Sequence, residues 1–148
     1  MEEKKFFDDL DKGWNLSSRA RTITETDIVL FAAFTGDWAP HHTDAEFAKT
    51  LPFKGRIAHG MLVISVASGL IDYACEIAVI AFGGMDRVRF VAPVMIDDTI
   101  HVETELIEKE DKNDKSGNLI FNQLTINQKG ETVATARLKL LVMKKPGK

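Results

Sequence analysis

The sequence predicts an α+β fold in which a long apolar helix packs against an antiparallel sheet of five or more strands. Residues 24–80 carry apolar residues at helical spacing, whereas residues 85–143 alternate apolar and polar residues as strands do. Short polar turns that contain glycine separate the strand-like segments, and strands joined by such turns pair antiparallel. No repeat or linker divides the 148 residues, so a single domain is expected.

Two short helices are predicted first, each with a recognisable start and end. The first begins at Thr24, a capping residue followed three positions later by Asp27, and it ends at Gly36. The second begins after Asp44, which can accept hydrogen bonds from the first-turn amides, and it is closed off by Pro52. The end of the first helix and the cap of the second are therefore expected to fix both ends of the polar segment between them.

The longest helix is expected from about His59 to Ile80, and it is apolar almost all round. A helix without a broad charged face is buried rather than packed on a surface. Its first half contains small residues that let another backbone or a ligand come close, namely Ser65, Ala67, Ser68 and Gly69. This segment is therefore predicted to be the central helix of the fold.

Strands are predicted at Arg87–Val94, Thr99–Glu108, Asn118–Gln128 and Thr132–Met143, with a further strand near Ser18–Thr24. In the second of these, apolar residues occupy one face while His101, Glu103 and Glu105 occupy the other, so one side of the sheet is expected to face water. A single sheet around a single helix leaves sheet edges and apolar surface uncovered. We therefore expect a homodimer or a higher homo-oligomer.

Composition argues against several classes of protein. The 45% hydrophobic and 28% charged residues are ordinary for a folded globular domain, and the net charge of −3 comes without the basic stripe of a nucleic-acid binder. A single cysteine, Cys75, fits a reducing compartment, and the N-terminus has no apolar core of signal-peptide length. The longest largely apolar stretch, residues 60–71, is shorter than the ~18 residues of a bilayer span. The expected protein is cytoplasmic and binds neither nucleic acid nor membrane.

The segment F-T-G-D-W-A-P-H-H, between the first two helices, carries candidate acid–base chemistry. Pro40 stiffens the turn, so Asp37 and His42 can reach the same small volume. An imidazole changes charge near neutral pH, and a nearby carboxylate favours a defined acid–base role. A purely structural interpretation is also open, in which Asp37 caps the backbone after Gly36 and His42 begins the next helix.

The segment A-H-G-M-L places Gly60 at the start of the long helix. Its N–H would lie at the positive end of the helix dipole, where it can hold an oxyanion formed from a carbonyl. Alternatively, Gly60 only starts a tight turn and His59 is a cap or loop residue. A metal site is a third possibility, since His41, His42, Asp44 and His59 offer ligands, but their spacing matches no common zinc motif. No metal ligand is therefore assigned.

Together, G-D-W-A-P-H-H-T-D-A-E-F-A and F-K-G-R-I-A-H-G-M-L resemble the hydratase motif of the MaoC-like family, the (R)-specific enoyl-CoA hydratases. More loosely, R-V-R-F-V-A-P-V-M-I-D-D-T resembles the strand and turn that follow the helix in that family. The resemblance covers most of residues 15–143. It implies a single hot-dog domain over residues 1–148, with a long central helix wrapped by an antiparallel sheet.

The resemblance also implies roles for four residues. Asp37 and His42 match the catalytic pair that adds water across the 2,3-double bond of a 2-enoyl thioester. Gly60 matches the glycine whose N–H receives the thioester oxygen, and Ser68 falls where the family often has a serine supporting the pair. The implied enzyme is a hydro-lyase of fatty acid metabolism, which dehydrates a 3-hydroxyacyl thioester in the reverse direction. No cofactor is expected beyond the CoA or acyl carrier that bears the substrate.

Two departures from the family pattern leave other functions open. Ala39 stands where G-D-x-N-P-x-H usually has Asn, which puts a straight-chain substrate in doubt, and Asp97 replaces a glycine in a turn. A hot-dog thioesterase would need a carboxylate on or beside the central helix, but Asp72 and Glu76 are distant from Gly60 along the chain. A non-catalytic acyl-CoA-binding module is supported only by Ala39.

Overall fold

Six strands form one antiparallel sheet within residues 4–146, which are the residues described by the computed structural model. The strands are β1 Asn15–Ser17, β2 Arg21–Thr22, β3 Val79–Phe90, β4 Thr99–Asn113, β5 Ser116–Asn127 and β6 Thr132–Met143. Their order across the sheet is β1-β4-β5-β6-β3, and β2 also pairs with β4. Strand β3 therefore lies at one edge, although it follows the helices directly in sequence.

Five α-helices and one 3-10 helix accompany the sheet in the described part of the chain. They are the 3-10 helix Phe7–Asp9, α1 Glu25–Thr35, α2 Pro40–Thr43, α3 Ala45–Thr50, α4 Gly60–Leu70 and α5 Tyr73–Glu76. Helix α4 buries six of its residues in the core, together with the inward side chains of β4, β5 and β6. None of these helices is long and apolar enough to cross a membrane.

The predicted alternation is confirmed in β4 and β6, but the face predicted for β5 was wrong, because Gln123 and Thr125 are buried there and Leu124 is exposed. In β4 the core face holds Ile100, Val102 and Leu106, while Glu103 and Glu105 are exposed on the other face. Strand β6 has the predicted bounds. The hairpin between β4 and β5 is tighter than the polar sequence suggested, since the strands continue to residue 113 and resume at residue 116.

The capping predictions are also confirmed. The Thr24 hydroxyl accepts a hydrogen bond from the Asp27 N–H at 3.2 Å, and the Asp27 carboxylate accepts one from the Thr24 N–H at 2.8 Å. Gly36 ends α1 with a positive φ of 79°, a conformation that costs glycine little. At the start of α3, the Asp44 carboxylate accepts hydrogen bonds from two backbone amides. The polar segment between α1 and α3 is therefore anchored at both ends.

The predicted length of the central helix was wrong. Helix α4 ends at Leu70, Asp72 caps the separate helix α5, and β3 begins at Val79 rather than Arg87 and ends at Phe90. The apolar residues 79–82 form a strand that pairs with β6, and an apolar run alone does not separate a strand from a helix. The single strand expected at residues 18–24 is also replaced, by the two short strands β1 and β2.

Candidate active site

Asp37 and His42 lie on a closed turn between α1 and α3. Pro40 begins the one-turn helix α2, which the sequence analysis had treated only as a stiff turn. The Asp37 carboxylate accepts a hydrogen bond from the Ala39 N–H at 3.3 Å. The Thr43 hydroxyl closes the other side by donating to main-chain carbonyls of the same turn. The turn therefore presents its carboxylate and its imidazole in defined positions.

His42 is buried, with 6% of its surface exposed, and among residues 4–146 only one of its ring nitrogens has a hydrogen-bond partner. Its Nδ1 lies 2.7 Å from the main-chain carbonyl oxygen of Ile57. Because a carbonyl only accepts, Nδ1 carries the hydrogen, and in the neutral ring Nε2 has a free lone pair. Burial lowers the pKa of His42 below its usual value, although the hydrogen bond to Ile57 and the charge of Asp37 oppose this shift. His42 is thus a neutral imidazole suited to accept a proton.

His59 joins this pair from the start of α4, which the sequence analysis did not anticipate. Its Nε2 lies 3.0 Å from the main-chain carbonyl oxygen of Asp37 and donates to it. Its ring stacks on that of His42, with ring centres 3.7 Å apart and ring planes at 26°. His59 is the N-cap residue of α4, as one of the two interpretations of the sequence expects, but its side chain makes no capping hydrogen bond. In the sequence, only its position beside Gly60 linked His59 to the site, because its contact with Asp37 joins distant parts of the chain.

Gly60 and His42 face the same cavity. This cavity has a volume of about 400 Å³, and its apolar lining includes Phe53, Val63 and Phe90. Gly60 is the first residue of α4, so its N–H has no acceptor within the helix and lies at the positive end of the helix dipole. A Cβ at this position would lie 2.7 Å from the Phe90 ring, which excludes any side chain unless Phe90 moves.

Ser68 lies apart from the cluster in the single chain. Its hydroxyl donates to the main-chain carbonyl of Ser65 at 2.8 Å, on an exposed stripe of α4. It is two turns beyond Gly60, a distance of ~12 Å along a helix. A supporting role for Ser68 thus stays a prediction. The candidate thioesterase carboxylates, Asp72 and Glu76, lie beyond the far end of α4.

The cluster also has the composition of a metal site. Asp37, His42 and His59 each offer one ligand atom, and these atoms lie within 4.8 Å of one another. Two nitrogens are, however, already used as donors to main-chain carbonyls. The remaining nitrogens, His42 Nε2 and His59 Nδ1, belong to two stacked rings whose planes differ by only 26°. Lone pairs in the planes of two stacked rings do not point at one ion. The geometry favours acid–base chemistry over metal binding.

Comparison with known proteins identifies the family. The family model described as the MaoC like domain matches residues 13–128. The chain belongs to the MaoC-like family. Protein MaoC of Klebsiella aerogenes is 39% identical to it over 113 residues, which are 76% of this chain and 34% of that protein. An (R)-specific enoyl-CoA hydratase of Rhodospirillum rubrum is 38% identical over 98 residues, 64% of this chain and 65% of that protein. The match therefore spans about a third of the first relative and just under two thirds of the second.

Solved structures confirm the fold of this MaoC-like chain. A monoamine oxidase regulatory protein from Archaeoglobus fulgidus superposes with a TM-score of 0.90 at 42% identity, covering 97% of each chain. A Mycobacterium tuberculosis protein described as having a double hotdog fold gives a TM-score of 0.82 at 22% identity, covering 97% of this chain and 47% of its own. The MaoC-like chain thus has the hot-dog fold that the resemblance implied.

Proposed function

We propose that the protein is an (R)-specific 2-enoyl-CoA hydratase that also dehydrates 3-hydroxyacyl thioesters. One observation carries the proposal. A buried imidazole with a free nitrogen meets the first residue of α4 at a largely apolar cavity, and the Asp37 carboxylate lies within 4.8 Å of that imidazole. The name of the Rhodospirillum rubrum relative supports the same reaction.

The proposed chemistry uses Asp37 and His42 to hold one water between them. As the water oxygen bonds to C3, the π electrons of the double bond move onto the thioester oxygen, and the pair takes the leaving proton. The same proton is then delivered to C2, so both residues end the cycle in their starting protonation states. Help of this acid–base kind is typically worth ~10²–10⁴-fold in rate.

Gly60 supplies the complementary element, a donor for the developing enolate oxygen. Its N–H points from the start of α4, and one such donor is typically worth ~10²–10³-fold. The apolar lining of the cavity, which includes Val63 and Phe90, suits the acyl chain. The chemistry requires neither an electrophilic metal nor a redox cofactor, and the substrate is carried as a CoA or acyl-carrier thioester.

A non-catalytic acyl-CoA-binding module is the second candidate. The Archaeoglobus fulgidus neighbour, which covers nearly the whole chain, is described as a regulatory protein. Ala39, in place of the family's usual Asn, lies in the same turn as Asp37 and removes an amide side chain from it. No contact of the described residues favours a thioesterase, because Asp72 is used to cap α5.

We further propose that the functional unit is a homodimer or a higher homo-oligomer. Strand β3 is an edge strand that pairs only with β6 among residues 4–146. It nevertheless exposes large apolar side chains, including Ile80, Phe82 and Phe90. An exposed apolar edge of this length is a surface that natural proteins cover, most simply with a second copy.

The experiment offers the protein crotonyl-CoA and a small panel of branched and carboxylated 2-enoyl-CoAs. Loss of the conjugated absorbance without release of free thiol is expected, and coupling to an (R)-specific 3-hydroxyacyl-CoA dehydrogenase tests the stereochemistry. Thiol release would indicate a thioesterase. Tight binding of the panel without turnover would replace the hydratase with the binding module.

A further inference from the structure

We propose that His59 is a positioning residue that holds Asp37 and His42 in register with the N–H of Gly60. The catalytic consequence of this inference rests on the proposed hydratase activity, whereas the geometric arrangement does not. His59 is a buried histidine that takes no part in the proposed proton transfer.

The first link joins His59 to the turn that carries the carboxylate. Its Nε2–H donates to the main-chain carbonyl of Asp37 at 3.0 Å, between residues 22 positions apart in the chain. A hydrogen bond to the main chain fixes the backbone from which the carboxylate projects, and it leaves the carboxylate with only its own bond to the Ala39 N–H.

The second link joins His59 to the proposed base. The two rings stack at 3.7 Å, so the face of His59 limits the tilt of the His42 ring about its own hydrogen bond to Ile57. The Phe31 ring, on α1, also packs against His59, with ring centres 5.0 Å apart. The direction in which His42 Nε2 points therefore depends on how the rings of Phe31, His59 and His42 pack.

The third link is covalent. His59 precedes Gly60, and its main-chain carbonyl accepts the hydrogen bond from Val63 N–H that opens α4. His59 thus contacts the turn that carries Asp37, stacks on the imidazole of His42 and is bonded to Gly60, all at the start of the central helix. Displacements of ~1 Å in such constellations cost ~10²-fold in rate.

The remaining nitrogen of His59 argues for positioning rather than direct catalysis. Only 2% of His59 is exposed, and its Nδ1 has no hydrogen-bond partner among residues 4–146. Neither His59 nor Asp37 is among the residues that line the cavity, but Asp37 is exposed to solvent whereas His59 is enclosed by the protein. A reactant can therefore reach Asp37, whereas Nδ1 of His59 is withdrawn from it.

Two variants separate the contributions of His59. His59→Phe keeps a ring to stack on His42 but loses the donor to the Asp37 carbonyl. His59→Gln keeps an amide N–H at a similar reach but loses the ring. We expect kcat of His59→Phe to fall by ~10²-fold with KM changed little, and His59→Gln to recover about a tenfold part of that loss. His101→Gln, on the outer face of β4, is the matched histidine control and should keep wild-type kcat.

A readout that does not depend on turnover is ¹⁵N NMR of the four histidines. The wild-type protein should show His42 as the Nδ1–H tautomer with a pKa below its usual value. The groups that act on this ring are His41, His59, Asp37 and the Ile57 carbonyl. In His59→Gln the ring should become better hydrated and its pKa should rise toward the ordinary value, while His101→Gln should leave it unchanged.

The outcomes distinguish this inference from the proposed function. Wild-type kcat together with an unshifted His42 titration in folded His59→Phe and His59→Gln would refute the positioning role. Altered His42 titration in a protein without hydratase activity would support the positioning role and reject the hydratase. Activity that is lost on treatment with EDTA and restored by Zn²⁺ would show that His59 is a metal ligand, which also overturns the inference.

Discussion

His42 illustrates how burial and one main-chain hydrogen bond prepare a side chain for the proposed role of a base. The main-chain carbonyl of Ile57 selects its tautomer, and burial disfavours its protonated form, so the ring reaches a substrate neutral and with Nε2 free. The carboxylate of Asp37 lies near it and is held by its own turn through Ala39. Both roles can be tested by substitutions that preserve these supporting contacts.

We expect Asp37→Asn and His42→Asn each to lower kcat by ~10²–10⁴-fold, because each removes one half of the proposed acid–base pair. The asparagine at position 42 retains an N–H near the position of Nδ1, so the bond to the Ile57 carbonyl is kept. Steady-state kinetics on the best enoyl-CoA of the panel measures the effect, and circular dichroism checks the fold. Full activity in either variant would remove that residue from the mechanism.

The pKa of His42 leads to a prediction about acidic pH. Since the neutral ring is the active form and its pKa lies below the usual 6.5, kcat/KM should persist below pH 6.5 and fall only as the lowered pKa is passed. The unfolded chain binds a proton at higher pH than the folded chain does. The contribution of His42 to stability is therefore full above pH 6.5 and declines as pH falls through the folded pKa.

Profiles of kcat/KM and of Tm against pH measure both effects. His42→Asn should show a smaller loss of Tm than the wild type over this acidic window. An acid limb centred above pH 6.5 would contradict the assignment of a buried neutral base.

The start of α4 shows how a helix terminus depends on a neighbouring strand. The ring of Phe90 lies close to Gly60, in the space that a Cβ would need. Because Gly60 has no Cβ, a reactant can approach the first amide of the helix directly. Helix ends elsewhere in the chain depend on nearer partners, as with Thr24 and Asp27 at α1. A glycine at this position thus leaves room for the Phe90 ring beside the start of α4.

Gly60→Ala should lower kcat/KM by ~10-fold or more, because its Cβ would lie 2.7 Å from Phe90 and push that ring within the cavity. Gly69→Ala is a matched control in the same helix. A Cβ there meets nothing within 4 Å, so this variant should keep its activity and gain up to ~1 kcal/mol in helix stability. Kinetics and thermal unfolding of the pair provide the measurement, and equal activity in both would refute the close-approach role of Gly60.

Elements differ in how far the sequence predicts them. The caps at Thr24, Gly36 and Asp44 were predicted because each depends on residues within one turn. The end of α4 was not, because whether residues 79–82 are helix or strand is decided by pairing with β6, more than fifty residues further along the chain. The two short strands at the N-terminus likewise exist only through their pairing with β4.

At the scale of the whole molecule, the single chain leaves part of its apolar surface exposed to solvent. Phe82 on the edge strand β3 is 56% exposed, beside a core that is otherwise well closed. This surface is what the proposed oligomer would bury.

We expect light scattering to give a mass of at least twice the 16.5 kDa chain for the wild type. Phe82→Lys should shift the mass toward that of one chain, because a charged side chain on an edge strand opposes pairing with a second copy. Leu30→Lys is the control, since Leu30 is exposed on α1 rather than on β3 and its replacement should leave the mass unchanged. A wild type that elutes as a monomer would reject the proposed oligomer.

The sequence by itself determined the class of fold, the caps, the alternating faces of β4 and β6 and the pairing of Asp37 with His42, because these follow from local periodicity and from a specific motif. The tertiary structure alone decided that Ile57 orients the imidazole and that His59 joins the cluster. These contacts connect the polar turn to residues 15 and 22 positions further along the chain. Such contacts form only when α4 packs on the sheet and brings the two segments together, which no local pattern encodes.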